Sequence, residues 1–209
     1  MIIAIDGSAA SGKGTLAKRI AKHFSLSYLD TGSLYRAVGL QLLSAGQDSH
    51  HIIEEQCVET CFELDITLIT SPLIRSEKVA EMASVVAAMP AVRAALLDLQ
   101  REFAAAPPDP NGAILDGRDI GTVVLPDADF KFFIDANICI RAKRRTKELL
   151  QAGQSVMFRD VLTDLQERDT RDRSRSAAPL RPADDAIIIN TSKLGVDDVM
   201  ALALSHINV

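Results

Sequence analysis

Residues 2–15 read Ile2-Ile3-Ala4-Ile5-Asp6-Gly7-Ser8-Ala9-Ala10-Ser11-Gly12-Lys13-Gly14-Thr15, and this stretch decides the fold. Ile2–Ile5 is a short apolar run of the kind that forms a buried strand. The loop after it is framed by Gly7 and Gly12, and an amphipathic helical pattern begins near Leu16. Strand, glycine-framed loop and helix N-terminus in that order make a phosphate cradle of P-loop type. Gly7 and Gly12 permit backbone dihedrals that a Cβ forbids. Successive N–H groups can then converge on phosphate oxygens, helped by the helix dipole. Lys13 supplies charge for the β- and γ-phosphates. A Gly/Ser-rich surface turn, the plainer reading, would not need the strand before it and the helix after it.

The bulk composition limits the alternatives. A chain of 209 residues suits one domain with small insertions. Hydrophobic residues make up 47% and aromatics 4%, with no Trp, so the expected core is large and aliphatic. The net charge of -5 argues against a general nucleic-acid binder. No apolar stretch approaches the roughly 20 residues of a membrane span, and no signal-peptide pattern precedes the first strand. Three widely placed cysteines suggest a reducing compartment, so a cytoplasmic protein is expected. Cys57 and Cys61, with His50 and His51 upstream, raise the thought of a metal site. They also continue the helical apolar pattern of Ile52–Leu64, which reads better as buried thiols.

Apolar strand candidates at Ile2–Ile5, Leu26–Leu29, Ala113–Leu115, Phe130–Ile134 and Ala186–Ile189 alternate with helical patterns. The helices are expected over Lys13–Phe24, Leu34–Ala45, Ser76–Met89, Ala91–Ala105, Ile138–Ala152, Phe158–Arg171 and Val196–Ile207. This predicts an α/β fold, a five-stranded parallel sheet covered on both faces. Ligands of such sheets lie beyond the carboxyl ends of the strands. Those ends read Asp6-Gly7, Asp30-Thr31-Gly32, Asp116-Gly117-Arg118-Asp119 and Asp135. Asp65–Ile74 has β-character and a Ser-Pro turn, and is expected to be part of a small insertion. Ala104–Gly112, rich in proline, reads as a surface connection.

Three clusters speak to a second ligand. In Asp30-Thr31-Gly32-Ser33-Leu34-Tyr35-Arg36, Asp30 or Thr31 can cap a helix whose early turns carry Arg36 toward an anion. A capped helix with a surface arginine is the alternative. Asp116-Gly117-Arg118-Asp119-Ile120-Gly121 puts three charges at a strand end. They suit a carboxylate that orients an arginine or a hydrated Mg²⁺, or an ordinary turn with a salt bridge. The third cluster, Arg168 to Arg175, joins the run Arg141, Lys143, Arg144, Arg145 and Lys147 to give nine cations in two helical stretches. Many should be a solvated face. In an acidic chain they also suit phosphoryl transfer, which needs cations around oxygens charged in the transition state. Gln151–Phe158 contains Gly153 and reads as a lid segment between them.

The Gly-Lys-Gly-Thr ending of the loop resembles nucleoside monophosphate kinases more than GTPases or motor ATPases. The chain as a whole resembles the bacterial cytidylate kinases nearly end to end. The likeness rests on Leu29-Asp30-Thr31-Gly32 with Tyr35-Arg36, Ile74-Arg75, Ser84, and Pro90-Ala91-Val92-Arg93. It continues through Asp116–Val124, Pro126-Asp127-Ala128, Glu167-Arg168-Asp169, Arg171–Arg175 and Ala178-Pro179-Leu180. Ser8 departs from the proline that many members carry there, and the insertion before Arg75 looks shorter and poorer in glycine.

The resemblance implies a nucleoside monophosphate kinase fold as a single domain over 1–209, with an acceptor-side insertion at about 46–80 and a lid at about 148–160. It implies transfer of phosphate from ATP to CMP, and to dCMP, with Mg²⁺. Gly7–Thr15 would hold the ATP phosphates, and the hydroxyl of Thr15 would face the metal. Asp30, Thr31 and Arg36 would face the acceptor. Ser84, Arg93 and Asp119 would sort the cytosine edge, and Arg118 would take the acceptor phosphate. Asp172 would hold the sugar hydroxyls, and Arg175 would help bind the acceptor. Lys13, Arg145, Arg168 and Arg171 would act on the transferring phosphate. The expected protein is a monomer with nucleotide partners and neither nucleic acid nor membrane. The rivals are another small-molecule kinase, a nucleotide-dependent switch and a basic RNA-binding module. An Asn-Lys-x-Asp guanine motif is absent, and few aromatics are available for stacking.

Overall fold

The computed structural model describes residues 1–207. Five strands, β1 (Ile2–Gly7), β2 (Ser27–Asp30), β3 (Ala113–Gly117), β4 (Phe130–Asp135) and β5 (Ile187–Asn190), form one sheet in the order β2-β3-β1-β4-β5. β1 runs parallel to both β3 and β4, with Asp6 opposite Gly117 on one side and Phe133 on the other. β4 runs parallel to β5. The chain leaves β1 for one edge of the sheet and later crosses to the other. Phosphate-binding crevices open at such reversals.

Among the described residues eight α-helices accompany these strands: α1 (Lys13–Phe24), α2 (Thr31–Ser44), α3 (Glu54–Phe62), α4 (Glu77–Val86), α5 (Pro90–Ala105), α6 (Ile138–Gln151), α7 (Phe158–Ser174) and α8 (Val196–His206). The expected strands and helices are all present, with ends shifted by a few residues. The chain divides into two compact units, Met1–Leu29 with Pro107–Val209, and Asp30–Ala106.

In the first unit, Ile3 and Ile5 of β1 meet Ile114, Phe132, Ile134 and Ile189 from the other strands. Leu16, Ala17, Ile20 and Ala21 of α1 pack on them, with Val199, Met200 and Ala203 of α8. The spacing of those α1 residues makes one apolar stripe, which is why this segment is helical and why its polar face stays wet. The largest fully buried side chains are almost all aliphatic, Phe132 excepted.

In the second unit, α2 packs on α4 around Ala37, Leu40, Ile74 and Val79. Gly39 permits this contact, since a Cβ there would lie 3.2 Å from Ala83 N. Cys57 and Cys61 are buried on α3, and burial pushes the Cys61 thiol up to about 11. The expected β-character of Asp65–Ile74 is corrected: the chain makes two 3-10 turns, Ile66–Thr70 and Pro72–Arg75. The Asp65 carboxylate accepts from Thr67 N and Thr67 Oγ1, and Ser71 Oγ accepts from Leu73 N. Such local side-chain bonds compete with a sheet ladder, and Pro72 removes a ladder donor. No single described helix is long and apolar enough to cross a membrane.

Candidate active site

The loop after β1 is stapled from outside by donors. Arg141 on α6 donates from Nη1 to Ala9 O at 3.3 Å. Arg144 donates to Ser11 O at 3.3 Å, and Thr191 Oγ1 donates to the same carbonyl at 2.8 Å. Peptide units are trans here, so a carbonyl turned outward sets the following N–H the opposite way. Ala10 N–H and Gly12 N–H thereby point away from those donors. The glycines are required by the geometry. A Cβ on Gly7 would sit 2.0 Å from Ile134 O, and Gly12 caps α1 with φ +97. Ala10 also has positive φ, at 57, an unusual conformation for a residue with a side chain.

Two further loop residues find neighbours that explain them. Ser8, the departure from proline, is buried and donates from Oγ to Asp135 Oδ1 at 2.9 Å. Gly14 lies against the end of β3, where a Cβ would approach Asp116 Oδ2 to 3.0 Å. Tyr28 donates its hydroxyl to that same oxygen at 3.0 Å. Lys13 opens α1, and Thr15 on its first turn is exposed.

The arginine-rich helix α7 is tied to this loop through a buried pair. Arg141 is 3% exposed. Its guanidinium donates to Asp169 at 3.1 and 2.5 Å, and Nε donates to Ala136 O at 2.9 Å. One residue therefore joins the P-loop, the end of β4 and the segment of α7 between Arg168 and Arg171. α6 and α7 share an apolar seam of Ala142, Leu149, Val161 and Leu165 that also covers Ala9. Arg145, half-buried on α6, pairs with Glu148 at 3.2 Å. The connection between the helices, residues 152–157, turns at Gly153 with φ +79.

Around Asp172 the same unit gathers a cationic cluster. Arg118 Nε donates to Asp172 Oδ2 at 2.8 Å. Burial would raise the Asp172 carboxyl, but the nearby guanidinium of Arg118, with those of Arg168 and Arg175, outweighs it and holds the carboxyl below its ordinary range. Arg175 donates from Nε to Ala178 O at 2.6 Å, and its Nη2 lies 3.9 Å from the buried Asp119. Arg118, Arg168 and Arg175 thus gather around Asp172.

In the second unit, α2 begins at Thr31, which is buried. Asp30 occupies the cap position without a side-chain cap bond; the Ser33 hydroxyl donates to Asp30 O instead. The expected capping role of the Asp30 side chain is thus corrected. The Cβ-less Gly32 lies beside Asp30 Oδ1, which a Cβ would approach to 3.0 Å. Arg36 donates to Ile74 O at 3.0 Å. Arg93 donates to Ala87 O at 3.2 Å and stacks over the Tyr35 ring at 5.5 Å. Ser84 is buried on α4.

Sequence reading missed three groups. Asp6 is buried at the end of β1 and accepts from Ile120 N at 2.7 Å and Gly121 N at 2.8 Å. Arg141 was one of nine cations, and nothing local set it apart. Thr191 carries no motif at all. Asp6 had a signal in the sequence, a carboxylate closing an apolar strand run.

A parallel sheet whose central strand runs into a stapled P-loop, with an arginine-bearing helix fixed against that loop, defines a P-loop phosphotransferase fold of the nucleoside monophosphate kinase type. The family model described as Cytidylate kinase matches residues 3–209, and the chain belongs to that family. It is 53% identical over 204 residues to a protein named Cytidylate kinase from Methylocella silvestris, covering 98% of this chain and 92% of that one. A protein of the same name from Azorhizobium caulinodans is 52% identical over 205 residues, covering 98% and 97%. The crystal structure of an uncharacterized protein from Eubacterium ventriosum shares the fold, with TM-score 0.55 and 16% identity over 99% of this chain and 98% of that one.

Proposed function

We propose that the protein transfers the γ-phosphoryl group of ATP to CMP, and to dCMP, giving ADP and CDP or dCDP by direct in-line displacement. The observation that carries this is Arg141, which locks the P-loop carbonyl of Ala9 and Asp169 of α7 into one buried unit. The donor phosphates and the arginines of α7 are thereby given a common frame. Positioning and charge neutralisation then supply the catalysis, with no covalent enzyme intermediate.

Gly7–Thr15 hold the ATP phosphates, and Lys13 takes the β/γ oxygens. Arg145, Arg168 and Arg171 gather on the transferring group. Arg118 takes the acceptor phosphate and Arg175 helps bind the acceptor, while Asp119 reads the base and Asp172 the sugar hydroxyls. Asp30, Thr31, Arg36, Ser84 and Arg93 are the remaining acceptor-binding residues of this reading. Among the described residues no group of three His, Cys, Asp or Glu can hold a metal ion. The exposed Thr15 hydroxyl offers one hard oxygen, which fits Mg²⁺ bound mainly by nucleotide phosphates and water. Bound there, Mg²⁺ would neutralise phosphate charge. In this reading the chain is one kinase domain, with an insertion at about 46–80 and a lid at about 148–160, and works as a cytoplasmic monomer without nucleic acid or membrane.

A coupled ADP-release assay over AMP, CMP, dCMP, UMP and GMP tests it. Preference for CMP and dCMP is expected; equal or better use of AMP, UMP or GMP would overturn the acceptor.

A further inference from the structure

We propose that Asp6 is the positioning residue of the acceptor side, its carboxylate clasping the backbone of the turn that presents Arg118 and Asp119. This rests on the reading above that these two residues bind the acceptor. Asp6 lies on the central strand, 3% exposed, and the turn follows β3, its neighbour. Each carboxylate oxygen takes one backbone donor, Ile120 N on Oδ1 at 2.7 Å and Gly121 N on Oδ2 at 2.8 Å. Both distances are short, as for bonds to an ionised acceptor. The turn itself, Ile120–Val124, closes with the wide π-helical pattern, in which Leu125 N reaches back to Ile120 O at 2.7 Å. Such a turn has poor intrinsic stability. Two bonds from a rigid strand give it a fixed origin.

The clasp is sensitive to protonation. Burial pushes the Asp6 carboxyl up to about 7, against the pull of the two N–H donors; Asp119 also raises it and Arg118 lowers it. From β4, Lys131 runs its aliphatic chain past Gly121 and spends its ammonium on Asp185. A protonated carboxyl turns one oxygen into a donor facing an N–H, so one bond of the clasp fails. Acceptor binding should therefore weaken as pH falls through about 7, while ATP binding does not. The acceptor's own phosphate titrates lower, at about 6, and gives a separate limb.

Asp6→Asn imitates the protonated clasp, because its amide nitrogen faces one of the two N–H groups. In steady-state kinetics at pH 8 we expect its KM for CMP to rise on the order of tenfold with the KM for ATP unchanged. Its profile should also lose the limb near 7 that wild type shows. Gly121→Ala crowds the clasp without touching the charge, since the new methyl would lie 3.2 Å from Lys131 Cδ and 3.5 Å from Asp6 Oδ2. It should raise the same KM, and it decides the matter if Asp6→Asn does not fold. An unchanged CMP KM, an equal rise in both KM values, or an identical pH profile in wild type and Asp6→Asn would each overturn the proposal. Failure of wild type to phosphorylate CMP at all would instead remove the substrate reading. The clasp is then judged by amide exchange: faster exchange at Ile120 and Gly121 in Asp6→Asn upholds it, and unchanged exchange overturns it.

Discussion

Replacing Arg141 by Met should be the most costly change on α6. Met keeps the length of the side chain and removes the guanidinium. The charge it removes is buried, and the carboxylate left behind is only 14% exposed. Breaking a buried pair from one side costs about 3–5 kcal/mol, because the other charge is stranded. Two carbonyls, Ala9 O and Ala136 O, lose their donor in the same step. The small exposure of Asp169 lets water recover part of the loss, so the total stays within that range. The reverse change, Asp169→Asn, strands the Arg141 cation, which is buried deeper, and should also cost about 3–5 kcal/mol, toward the lower end because the amide still accepts a bond and Arg141 keeps both carbonyls. In a chain of this size each kcal/mol moves Tm by about 2–4 °C, so Arg141→Met should melt roughly 6–20 °C early. Thermal and urea unfolding by circular dichroism measure both variants. A loss under about 1 kcal/mol for either variant would refute the reasoning.

Asp119→Ala should raise the CMP KM and relax rejection of UMP, since a carboxylate can accept from the cytosine amino group; competition assays would show an unchanged preference if the base is read elsewhere. Arg168→Ala should lower kcat strongly and CMP affinity little, because its contact forms mainly in the transition state. Amide exchange over residues 151–158 should slow with a bisubstrate analogue, and equal protection with and without it would remove the lid. Gly7→Ala should destabilise by about 3 kcal/mol or more, since its Cβ would fall 2.0 Å from Ile134 O; a urea midpoint near wild type would show that β1 and β4 can part there.

The fold was legible because its determinants are local. Five apolar runs, four of them closed by an aspartate and the fifth by Asn190, and helices with apolar stripes between them leave little but a covered parallel sheet. The P-loop was legible for the same reason: Gly7, Gly12 and Lys13 act through the backbone and charge of their own segment. Asp65–Ile74 was misread because alternating Ile and Leu suggest a strand. The short-range bonds of Asp65 and Ser71 decide otherwise, and β-propensity depends on having a pleated neighbour.

Sequence by itself thus determined the layering of the fold, the phosphate cradle and the family. Only the tertiary structure decided which charges are buried and what they hold. Arg141 and Lys143 are equal as letters in a basic helix, yet one is sealed between a loop and α7 and the other is exposed. Asp6 and Asp116 both close apolar strands. One clasps the turn after β3, and the other takes the Tyr28 hydroxyl and lies where any Cβ on residue 14 would press. The physical reason is that a charge gains its role from desolvation and from partners far along the chain, 114 residues apart for Asp6 and Ile120. Neither burial nor such a partner is written in the local pattern.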